Sequence, residues 1–221
     1  MAAEETRRVG TDFEAKHVVV TAGGTREPID PVRYIGNRST GKMGFALADA
    51  ALDRGARVTV IATVTPPRAD RYDAVEMVET VSDMRVAVLK ACQAADVLLM
   101  AAAVSDFRVA KPAEHKMKKQ GENLVLELVQ NDDFLLELSD DFVKVGFAAE
   151  TQDLLDNAHK KLVNKRLAMI CANDVSAPDA GFAVDTNRIT ILHASGGQEA
   201  LPLMSKYAVA HEILDRVVPL L

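Results

Sequence analysis

A long glycine-rich segment near the start of the chain carries the residue types that bind phosphate. The sequence TAGGTREPIDPVRYIGNRSTGKMG joins an apolar run at residues 17–21 to a helical pattern that begins at Gly44. Glycine lets the backbone approach a ligand, and Ser39 and Thr40 offer hydroxyl groups ahead of a helix N-terminus, whose N–H groups attract anions. The segment predicts a phosphate site, with a glycine-rich connector that binds nothing as the alternative. Its glycines are Gly23, Gly24, Gly36, Gly41 and Gly44.

Two known phosphate motifs match this segment only in part. The spacing from Gly36 to Lys42 fits a P-loop, but Met43 occupies the position where a P-loop needs Ser or Thr to bind magnesium. A dinucleotide fold requires G-x-G-x-x-G at the first turn and an acidic residue after the second strand. The chain has A-G-G at the first turn and A-T after the second predicted strand. Hydride transfer with a nicotinamide cofactor is therefore disfavoured.

A second polar segment, MAAAVSDFRVAKPAEHKMKK, follows an apolar run at residues 96–101. The small residues Ala102 and Ala103 leave room for a ligand near the backbone, and Asp106 offers a carboxylate to a hydroxyl, an amide or a base edge. Lys116 lies in the basic stretch beyond it, where an ammonium group can stabilise the negative charge of a phosphoryl group during transfer. The alternatives are a turn cap for Asp106 and a solvated basic surface for the lysine.

Further candidates for ligand contacts lie at the ends of later apolar runs and in one helix. Phe147 can stack on a base, and Asn173 can present its amide to a phosphate. Lys161 and Lys165 lie on one face of a predicted helix, so both can reach one anion. Each has a structural alternative: a core phenylalanine, an asparagine that caps a turn, and lysines that stabilise the last turn of a helix.

The composition is that of a globular protein and excludes several other classes. Hydrophobic residues make up 48% of the chain and charged residues 26%, which excludes a disordered or fibrous protein. The net charge of −6 argues against general nucleic-acid binding. No apolar run approaches the roughly 20 residues of a membrane helix and no secretory signal is found, so we expect a cytoplasmic protein without membrane contact. Two cysteines are too few for a disulfide framework or a zinc cluster, and the five histidines lack metal-ligand spacing.

Apolar runs and helical patterns alternate along the chain. The runs predict strands at residues 17–21, 57–62, 96–101, 143–147 and 167–172, and the spacing of apolar residues predicts helices at 44–54, 81–94, 153–166 and 206–217. This alternation predicts an α/β fold with a Rossmann-like, doubly wound, mostly parallel sheet and helices on both faces. Such a sheet binds its ligand at the carboxyl ends of the strands, which is where the candidate residues lie.

Two excursions interrupt the alternation of strands and helices, and the N-terminal residues are expected to lie outside the folded domain. Residues 107–130 predict a basic flap that ends in a strand at 124–129, and residues 188–203 predict a hairpin that turns at Gly196 and Gly197. Residues 1–16 are interpreted as a flexible lead-in. No linker rich in Pro, Gly or Ser divides the remainder, so residues 17–221 are predicted to form a single nucleotide-binding domain.

Several of these motifs together resemble one enzyme family. The segments GGTREPIDPVRYIGNRSTGKMG, AAAVSDFR followed by KMKK, GFAAET and ICANDVS occur in the order found in bacterial phosphopantothenoylcysteine synthetases. The resemblance covers about residues 17–217. It implies a ligase of coenzyme A biosynthesis that acts in two steps. The carboxylate of 4′-phosphopantothenate attacks the α-phosphate of CTP to give an acyl-cytidylate and pyrophosphate, and the amine of L-cysteine then displaces CMP to form the amide.

The resemblance also implies roles for individual residues, with Mg²⁺ accompanying the triphosphate on protein ligands that the sequence does not identify. Lys116 and Asn37 are expected to be catalytic: Lys116 promotes formation of the acyl-cytidylate and Asn37 handles it. Arg33 is expected to reach the site of the other subunit in a homodimer. The expected nucleotide contacts are Gly23, Ser39, Gly41, Gly44, Asp106, Lys116, Asn131, Asp132, Asp133, Phe134, Phe147, Lys161, Lys165 and Asn173. The expected contacts to phosphopantothenate are Arg33, Asn37, Ala102, Ala103 and Asp106.

The sequence departs from the family pattern at Asp132, where proline is common. In many bacteria the synthetase is fused behind a flavin-dependent decarboxylase, so a fused or associated decarboxylase is an expected partner. Two other functions stay open on the same fold. One is an NAD(P)H-dependent reductase, and the other is a catalytically silent nucleotide-binding module that helps to assemble a decarboxylase.

Overall fold

The computed structural model describes residues 8–119, 121, 123–150, 152–174, 181 and 183–221. Within these residues no helix combines the length and the apolar character that crossing a membrane requires. The strands in the first half of the chain are β1 (His17–Ala22), β2 (Arg26–Pro28), β3 (Tyr34–Gly36), β4 (Arg57–Ala62), β5 (Ala74–Met77), β6 (Val97–Met100) and β7 (Phe107–Val109). Those in the second half are β8 (Leu128–Gln130), β9 (Val143–Glu150), β10 (Met169–Asp174), β11 (Thr186–Asn187), β12 (Ile189–His193), β13 (Gln198–Ala200) and β14 (Met204–Ser205).

A single large sheet organises the described residues. Its strand order is β13-β12-β10-β9-β6-β1-β4-β5, and all neighbours from β10 to β5 are parallel. Chain order runs outward from β1 in both directions, so the sheet reverses its winding between β1 and β6, which is where doubly wound sheets bind ligands. The predicted mostly parallel sheet is confirmed. The sequence did not predict β5, whose residues are only partly buried at the sheet edge.

The helices cover both faces of the sheet. They are α1 (Lys42–Asp53), α2 (Val81–Ala91), α3 (Leu154–Asn164) and α4 (Lys206–Val217). Because side chains alternate along a strand, Val18 and Val20 join the cluster that contains α1 and α4, whereas Val19 joins the cluster that contains α2. Ile170 in turn packs with α3 through Leu162. The helices therefore form one layer on each face, as predicted.

Local sequence signals explain where these helices begin. At the start of α2 the Thr80 hydroxyl accepts from the N–H of Asp83 at 3.1 Å and the Asp83 carboxylate accepts from the N–H of Thr80 at 3.0 Å, a capping box. The predicted α1 began too late: the helix starts at Lys42, because Gly41 in a left-handed conformation (φ 79°) ends the preceding loop. The predicted α2 ran on to residue 94, where the structure has a 3₁₀ turn at Cys92–Ala94.

The second half of the predicted lead-in is packed against the domain. Phe13 is fully buried in the main core cluster, and its N–H donates to the carbonyl of Arg54 at 3.0 Å. The Asp12 carboxylate binds the Arg54 guanidinium, and Arg8 binds Asp215 at 2.9 Å. The prediction of a flexible lead-in over 1–16 is therefore wrong for residues 8–16, since one buried aromatic ring and two ion pairs fix them. Residues 1–7 lie outside the described part.

The two excursions differ in how they join the sheet. The hairpin turns at Gly196 (φ 95°) and Gly197 (φ 89°) as predicted, and its strands β12 and β13 extend the large sheet by antiparallel pairing. The flap is less regular than predicted. Its second strand is only Leu128–Gln130, paired with β7, whereas Leu124 and Val125 are exposed and outside any strand.

Candidate functional site

A pocket opens at the carboxyl ends of the parallel strands, where β1, β6, β9 and β10 run into loops. We call it the strand-end pocket. Five of the residues predicted to contact a nucleotide line it: Ser39, Gly41, Gly44, Phe147 and Asn173. The other lining residues are Lys42, Met43, Ala101, Ala148, Ala149, Gly181, Asn187 and Lys206. Residues distant in sequence thus meet at one edge of the sheet, as the topology requires.

The N-terminus of α1 forms one wall of the strand-end pocket and brings unpaired backbone N–H groups to it. A Cβ at Gly41 would lie 2.8 Å from the Phe45 ring, and one at Gly44 would lie 2.7 Å from the carbonyl oxygen of Thr21. Glycine at position 44 therefore lets α1 pack directly on β1, and glycine at position 41 permits the turn before the helix. The Ser39 hydroxyl lies 3.4 Å from the N–H of Gly41.

Gly23 belongs to the loop after β1 but does not line the strand-end pocket. Its φ is 91°, and a Cβ there would lie 2.2 Å from the Thr63 hydroxyl oxygen, so only glycine fits. Its carbonyl accepts from the N–H of Ala103 at 2.8 Å. Gly23 therefore ties the loop after β1 to the loop after β6, and this contact supports the geometry on which a ligand would depend.

Asn173 presents an unsatisfied acceptor at the strand-end pocket. Its side-chain oxygen is buried and has no hydrogen-bond partner among the described residues. Buried polar groups are nearly always paired, so this oxygen in the wall of a pocket is a candidate to accept a hydrogen bond from a ligand. An amide oxygen accepts from a hydroxyl or an amine and also coordinates hard cations such as Mg²⁺.

Two lysines of the strand-end pocket were not predicted from the sequence. Lys206 is 6% exposed, and its ammonium donates to the carbonyls of Gly181, at 2.9 Å, and Val184. Burial lowers its pKa to about 8, the neighbouring charge of Lys42 adds to this shift, and Asp185 opposes it. Lys42 donates to Asp185 at 2.7 Å. For Lys206 the sequence did contain a signal. It is the first residue of the predicted helix 206–217, where a cation opposes the helix dipole and is therefore unusual.

The residues predicted to contact the substrate acid meet beside this loop. The Asn37 side-chain amide donates to the carbonyls of Ala103 at 3.3 Å and Val104 at 3.4 Å. Ala102 donates its N–H to the Thr21 hydroxyl at 3.1 Å, and Gly24 pairs with Ala103 in an isolated bridge. Asn37 is exposed. These residues surround the point where the sheet reverses its winding.

A second group of predicted nucleotide contacts lies at the loop before β9. The N–H of Asn131 donates to the carbonyl of Asp106 at 2.8 Å, and Asp133 forms an ion pair with Lys165 at 3.0 Å. Asp132 is exposed. The Phe134 ring is 2% exposed and lies in the core with α2, so it is not available to stack on a base. The predicted nucleotide contacts in and around this loop do not line the strand-end pocket. They are Asp106, Asn131, Asp132, Asp133, Phe134, Lys161 and Lys165.

The flap lysine and Arg33 share a separate cavity. Lys116 and Arg33 line it together with Met117, Lys118 and Lys119. Three hydrogen bonds fix the Arg33 guanidinium here: it donates to the Asp30 carboxylate from Nη2 at 2.5 Å and from Nε at 3.1 Å, and to the carbonyl of Met117 at 3.3 Å. The structure therefore brings Arg33 and Lys116 together, and it does not bring Lys116 into the strand-end pocket.

The cysteines and the cavity next to the strand-end pocket offer little chemistry. Both cysteines are buried, and burial raises the pKa of the Cys92 thiol to about 12 and that of Cys171 further, so neither is a thiolate at neutral pH. A wider cavity lies beyond Lys42 and Lys206, between α1, α4 and residues 67–72. Its acidic groups are already paired, since Asp49 binds Arg68 and Arg71. No group of three or more potential metal ligands occurs among the described residues.

Comparisons with known proteins identify the family of this chain. The model of the DNA/pantothenate metabolism flavoprotein C-terminal domain matches residues 13–220. The coenzyme A biosynthesis bifunctional protein CoaBC of Bacillus subtilis strain 168 is 47% identical over 224 residues, which cover 99% of this chain and 54% of that protein. The protein of the same name from Escherichia coli K12 is 41% identical over 219 residues, which cover 94% of this chain and 52% of that protein. This chain thus spans about half the length of the curated relatives that it matches.

Solved structures show the same fold. A crystal structure of the C-terminal domain of a coenzyme A biosynthesis bifunctional protein CoaBC superposes with a TM-score of 0.79 at 35% identity and covers 96% of this chain and 98% of that chain. A Cab2 variant in complex with phosphopantothenate-cysteine superposes with a TM-score of 0.73 at 18% identity, over 91% of this chain and 86% of that chain. At that identity the second match supports the fold alone.

Proposed function

We propose, from the premise that this chain belongs to the DNA/pantothenate metabolism flavoprotein C-terminal domain family, that it is a phosphopantothenate–cysteine ligase of coenzyme A biosynthesis. It activates 4′-phosphopantothenate with CTP and joins it to L-cysteine. The relatives that match nearly all of this chain are named for coenzyme A biosynthesis. The choice of CTP follows the resemblance of the sequence motifs to the bacterial enzymes.

One observation carries the proposal: the strand-end pocket joins a helix N-terminus, two lysines and an orphaned asparagine oxygen at the carboxyl ends of parallel strands. Two charged residues of the described chain line it, Lys42 and Lys206, and both are cationic. A polyphosphate supplies the negative charge that this wall lacks, and the half-buried Phe147 offers an apolar surface beside it. The pocket therefore suits a nucleoside triphosphate better than a neutral metabolite.

The acid that is activated fits beside the nucleotide. Asn37 lies against the carbonyls of Ala103 and Val104, at the point where the sheet reverses its winding. Asn37 is exposed, and its amide can exchange one of these long contacts for a hydrogen bond to a carboxylate or to the acyl group formed from it. Small residues at 101–103 leave the backbone accessible. This arrangement supports the expected contacts of Asn37, Ala102 and Ala103 to phosphopantothenate.

The first step needs charge stabilisation more than it needs a protein nucleophile. When the substrate carboxylate attacks the α-phosphate, negative charge accumulates on the phosphoryl oxygens and on the departing pyrophosphate. Backbone N–H groups at the start of α1 and the pocket lysines offset that charge. Lys116 is exposed on the flap, so we infer that the flap closes and brings its ammonium to the reacting phosphate.

The second step consumes the acyl-cytidylate. The amine of cysteine attacks the acyl carbon, the bond to CMP breaks, and the proton of the amine passes to solvent or to CMP. Among the described residues both cysteine thiols are buried and protonated, so neither competes as a nucleophile. Asn37 can hold the acyl oxygen during this attack, which agrees with its expected role in handling the intermediate.

Mg²⁺ fits this site because the substrate phosphates would supply most of the oxygen atoms that bind it. Mg²⁺ usually binds through substrate phosphates, waters and one or two oxygen ligands of the protein. The orphaned side-chain oxygen of Asn173 is such a ligand in the wall of the strand-end pocket. When bound, the ion would neutralise part of the triphosphate charge. Asn173 is therefore the residue that we propose to hold it, directly or through a water.

A homodimer with shared sites is supported by the position of Arg33. Arg33 and Asn37 flank β3 at opposite ends, about 13 Å apart if the strand is extended, so they do not meet in one chain. Exposed apolar side chains lie on either side of Arg33 in the chain and on β7, which contacts β2: Val32 is 60% exposed, Tyr34 is 52% exposed and Phe107 is 50% exposed. Such a patch is typical of an interface. We propose that it joins two subunits and that Arg33 enters the site of the partner.

The wider setting follows from the relatives. Because the curated matches are about twice the length of this chain and are called bifunctional, a flavin-dependent decarboxylase, fused or associated, is the proposed partner. We also propose that the protein acts in the cytoplasm, where its nucleotide and cysteine substrates are found.

The test is a coupled assay with the purified chain, Mg²⁺, 4′-phosphopantothenate and L-cysteine. We expect pyrophosphate release that depends on CTP and on phosphopantothenate, followed by CMP and amide formation only when cysteine is added. ATP and NADPH are run in parallel. Saturable NADPH binding without CTP binding would indicate a reductase, and CTP binding without pyrophosphate release would indicate a silent module.

A further inference from the structure

Lys206 occupies an unusual position for a lysine. It is the first residue of α4, whose N-terminus is capped by the Ser205 hydroxyl, and its side chain is 6% exposed. Lysine is rarely buried unless it is paired, because removing an ammonium from water is unfavourable. The partners described for this ammonium are the neutral carbonyls of Gly181 and Val184. Its charge is therefore only partly compensated.

The helix termini make this position more unfavourable still. Lys42 is the first residue of α1 as Lys206 is of α4, and neither helix has an acidic residue in its first turn. By contrast, α2 has Asp83 and α3 has Asp156 there. A cation at a helix N-terminus opposes the positive end of the dipole. Two helices therefore direct positive ends and ammonium groups at one wall of the strand-end pocket.

The two lysines differ in how their charge is balanced. Lys42 is 40% exposed and forms an ion pair with Asp185 at 2.7 Å. Lys206 is buried, and burial together with the charge of Lys42 lowers its pKa to about 8, although the charge of Asp185 acts in the opposite direction. The residue that lacks a carboxylate partner in the described structure is thus the deeper one. An anion in the pocket would supply the missing charge.

We propose that Lys206 binds the polyphosphate of the nucleotide as a charged hydrogen-bond donor in the strand-end pocket. This inference rests on the proposed function, since it names a further contact within the same nucleotide site. The start of α4, which packs beside α1, then contributes directly to recognition. Ser39 and the N–H groups of α1 contact the triphosphate, and the Lys206 ammonium adds a contact from α4.

If Lys206 binds phosphate, the affinity for CTP depends on pH in a way that a purely structural lysine would not cause. A phosphate that pairs with Lys206 favours its protonated form, so binding weakens when the free protein loses this proton above about pH 8. Nucleotide phosphates are already fully ionised there. Arginine stays charged throughout this range, so Lys206→Arg removes this pH dependence.

The experiment measures the dissociation constants of CTP, CMP and cytidine, with Mg²⁺, for the wild-type protein, Lys206→Met and Lys206→Arg. We expect Lys206→Met to weaken CTP binding by about 10- to 100-fold, which is the effect of losing one charged hydrogen bond. CMP should lose less and cytidine almost nothing. Lys206→Arg should restore most of the CTP affinity, and it should flatten the decline in affinity between pH 7.5 and 9.5 that the wild-type protein shows.

The matched control is Lys16→Met, which removes a lysine paired with Asp96 before the amino end of β1, far from the pocket. It should leave all three affinities unchanged. If Lys206→Met weakens the binding of CTP, CMP and cytidine equally and Lys206→Arg rescues nothing, Lys206 only tethers Gly181 and Val184 and the inference is wrong, although the ligase stands. A wild-type protein that binds no CTP would overturn the proposed function and the inference together.

Discussion

The carboxylate of Asp30 accepts a hydrogen bond from the backbone N–H of Met117 at 3.1 Å and so attaches the flap to the turn before β3. The Asp30 side chain is fully buried and also accepts from the N–H groups of Val32 and Arg33, each at 2.9 Å. The Arg33 guanidinium holds the pKa of this carboxyl far below its usual range. One ionised side chain therefore positions both Arg33 and the residue that follows Lys116.

We predict that Asp30→Asn slows the first half-reaction by up to about 100-fold, because misplacing a catalytic group by about 1 Å has effects of that size. The measurement is the rate of pyrophosphate release in a single turnover at saturating CTP. Lys116→Gln added to Asp30→Asn should slow the rate little further, since both changes remove the same contact. Asp70→Asn, at an exposed position, is the control. Full additivity of the two changes would show that Asp30 does not act through the flap.

The flap lysine itself is predicted to act in the transition state and not in ground-state binding. Lys116→Gln should leave the dissociation constant of CTP within about twofold and slow the pyrophosphate burst by about 100- to 1000-fold, as loss of one charge-stabilising donor does. Lys111→Gln, at another exposed position of the flap, is the control. An unchanged burst in Lys116→Gln would refute the role.

Subunit complementation tests the shared site. Arg33→Ala and Asn37→Asp are each expected to be inactive, because every site of either homodimer lacks one group. A hybrid dimer has one site with both groups intact. Random mixing of equal amounts should therefore recover about a quarter of wild-type activity, since half of the dimers are hybrids with one good site of two. The measurement is activity after mixing and dissociation. No recovery, with hybrids shown by differently tagged subunits, would exclude the shared site.

Close packing of α1 on β1 predicts the effect of an added methyl group. Gly44→Ala places a Cβ 2.7 Å from the carbonyl oxygen of Thr21, so α1 must move and carry its N-terminus away from the pocket. We expect the free energy of unfolding to fall by about 1–3 kcal/mol and CTP binding to weaken. Gly197→Ala is the control: its Cβ meets nothing within 4 Å, so only the strain of a positive φ (89°) remains. It should lower stability without changing CTP affinity.

A buried histidine predicts how stability depends on pH. His211 is 4% exposed, neither ring nitrogen has a partner among the described residues, and its ring meets Tyr207 edge to face at 4.6 Å. Burial and then the charge of Arg54 lower its pKa below the ordinary 6.5. The unfolded chain therefore binds this proton more readily, so the contribution is full above pH 6.5 and is lost as the pH falls below it.

The measurement is chemical unfolding of the wild-type protein and of His211→Phe between pH 7.5 and 5. We expect the phenylalanine variant to lose less stability over this range than the wild-type protein. His159→Gln, on the exposed side of α3, should behave as the wild-type protein does. Parallel curves for the wild-type protein and His211→Phe would show that this ring does not titrate with unfolding.

The sequence alone determined the four helices, the central strands of the sheet and their order. Strand runs such as 57–62 and the helix at 206–217 were predicted with their observed bounds, because apolar periodicity is a local property that burial on a sheet imposes. The glycine-rich segment that leads into α1 was also visible in the sequence, because close approach of the backbone and a positive φ leave few residues other than glycine possible. Topology rules then placed the candidate residues at one edge of the sheet.

Only the tertiary structure decided which charges face one another. Lys206 joins Lys42 at the pocket because α4 packs beside α1, and no periodicity along the chain encodes that neighbour. Asp30 holds Met117, and Asp133 pairs with Lys165, across loops whose lengths say nothing about where they fold back. The packing of Phe13 was missed because a short polar segment with one aromatic ring gives no periodic signal. Contacts between residues distant in sequence depend on the summed packing of whole elements, which a local pattern does not contain.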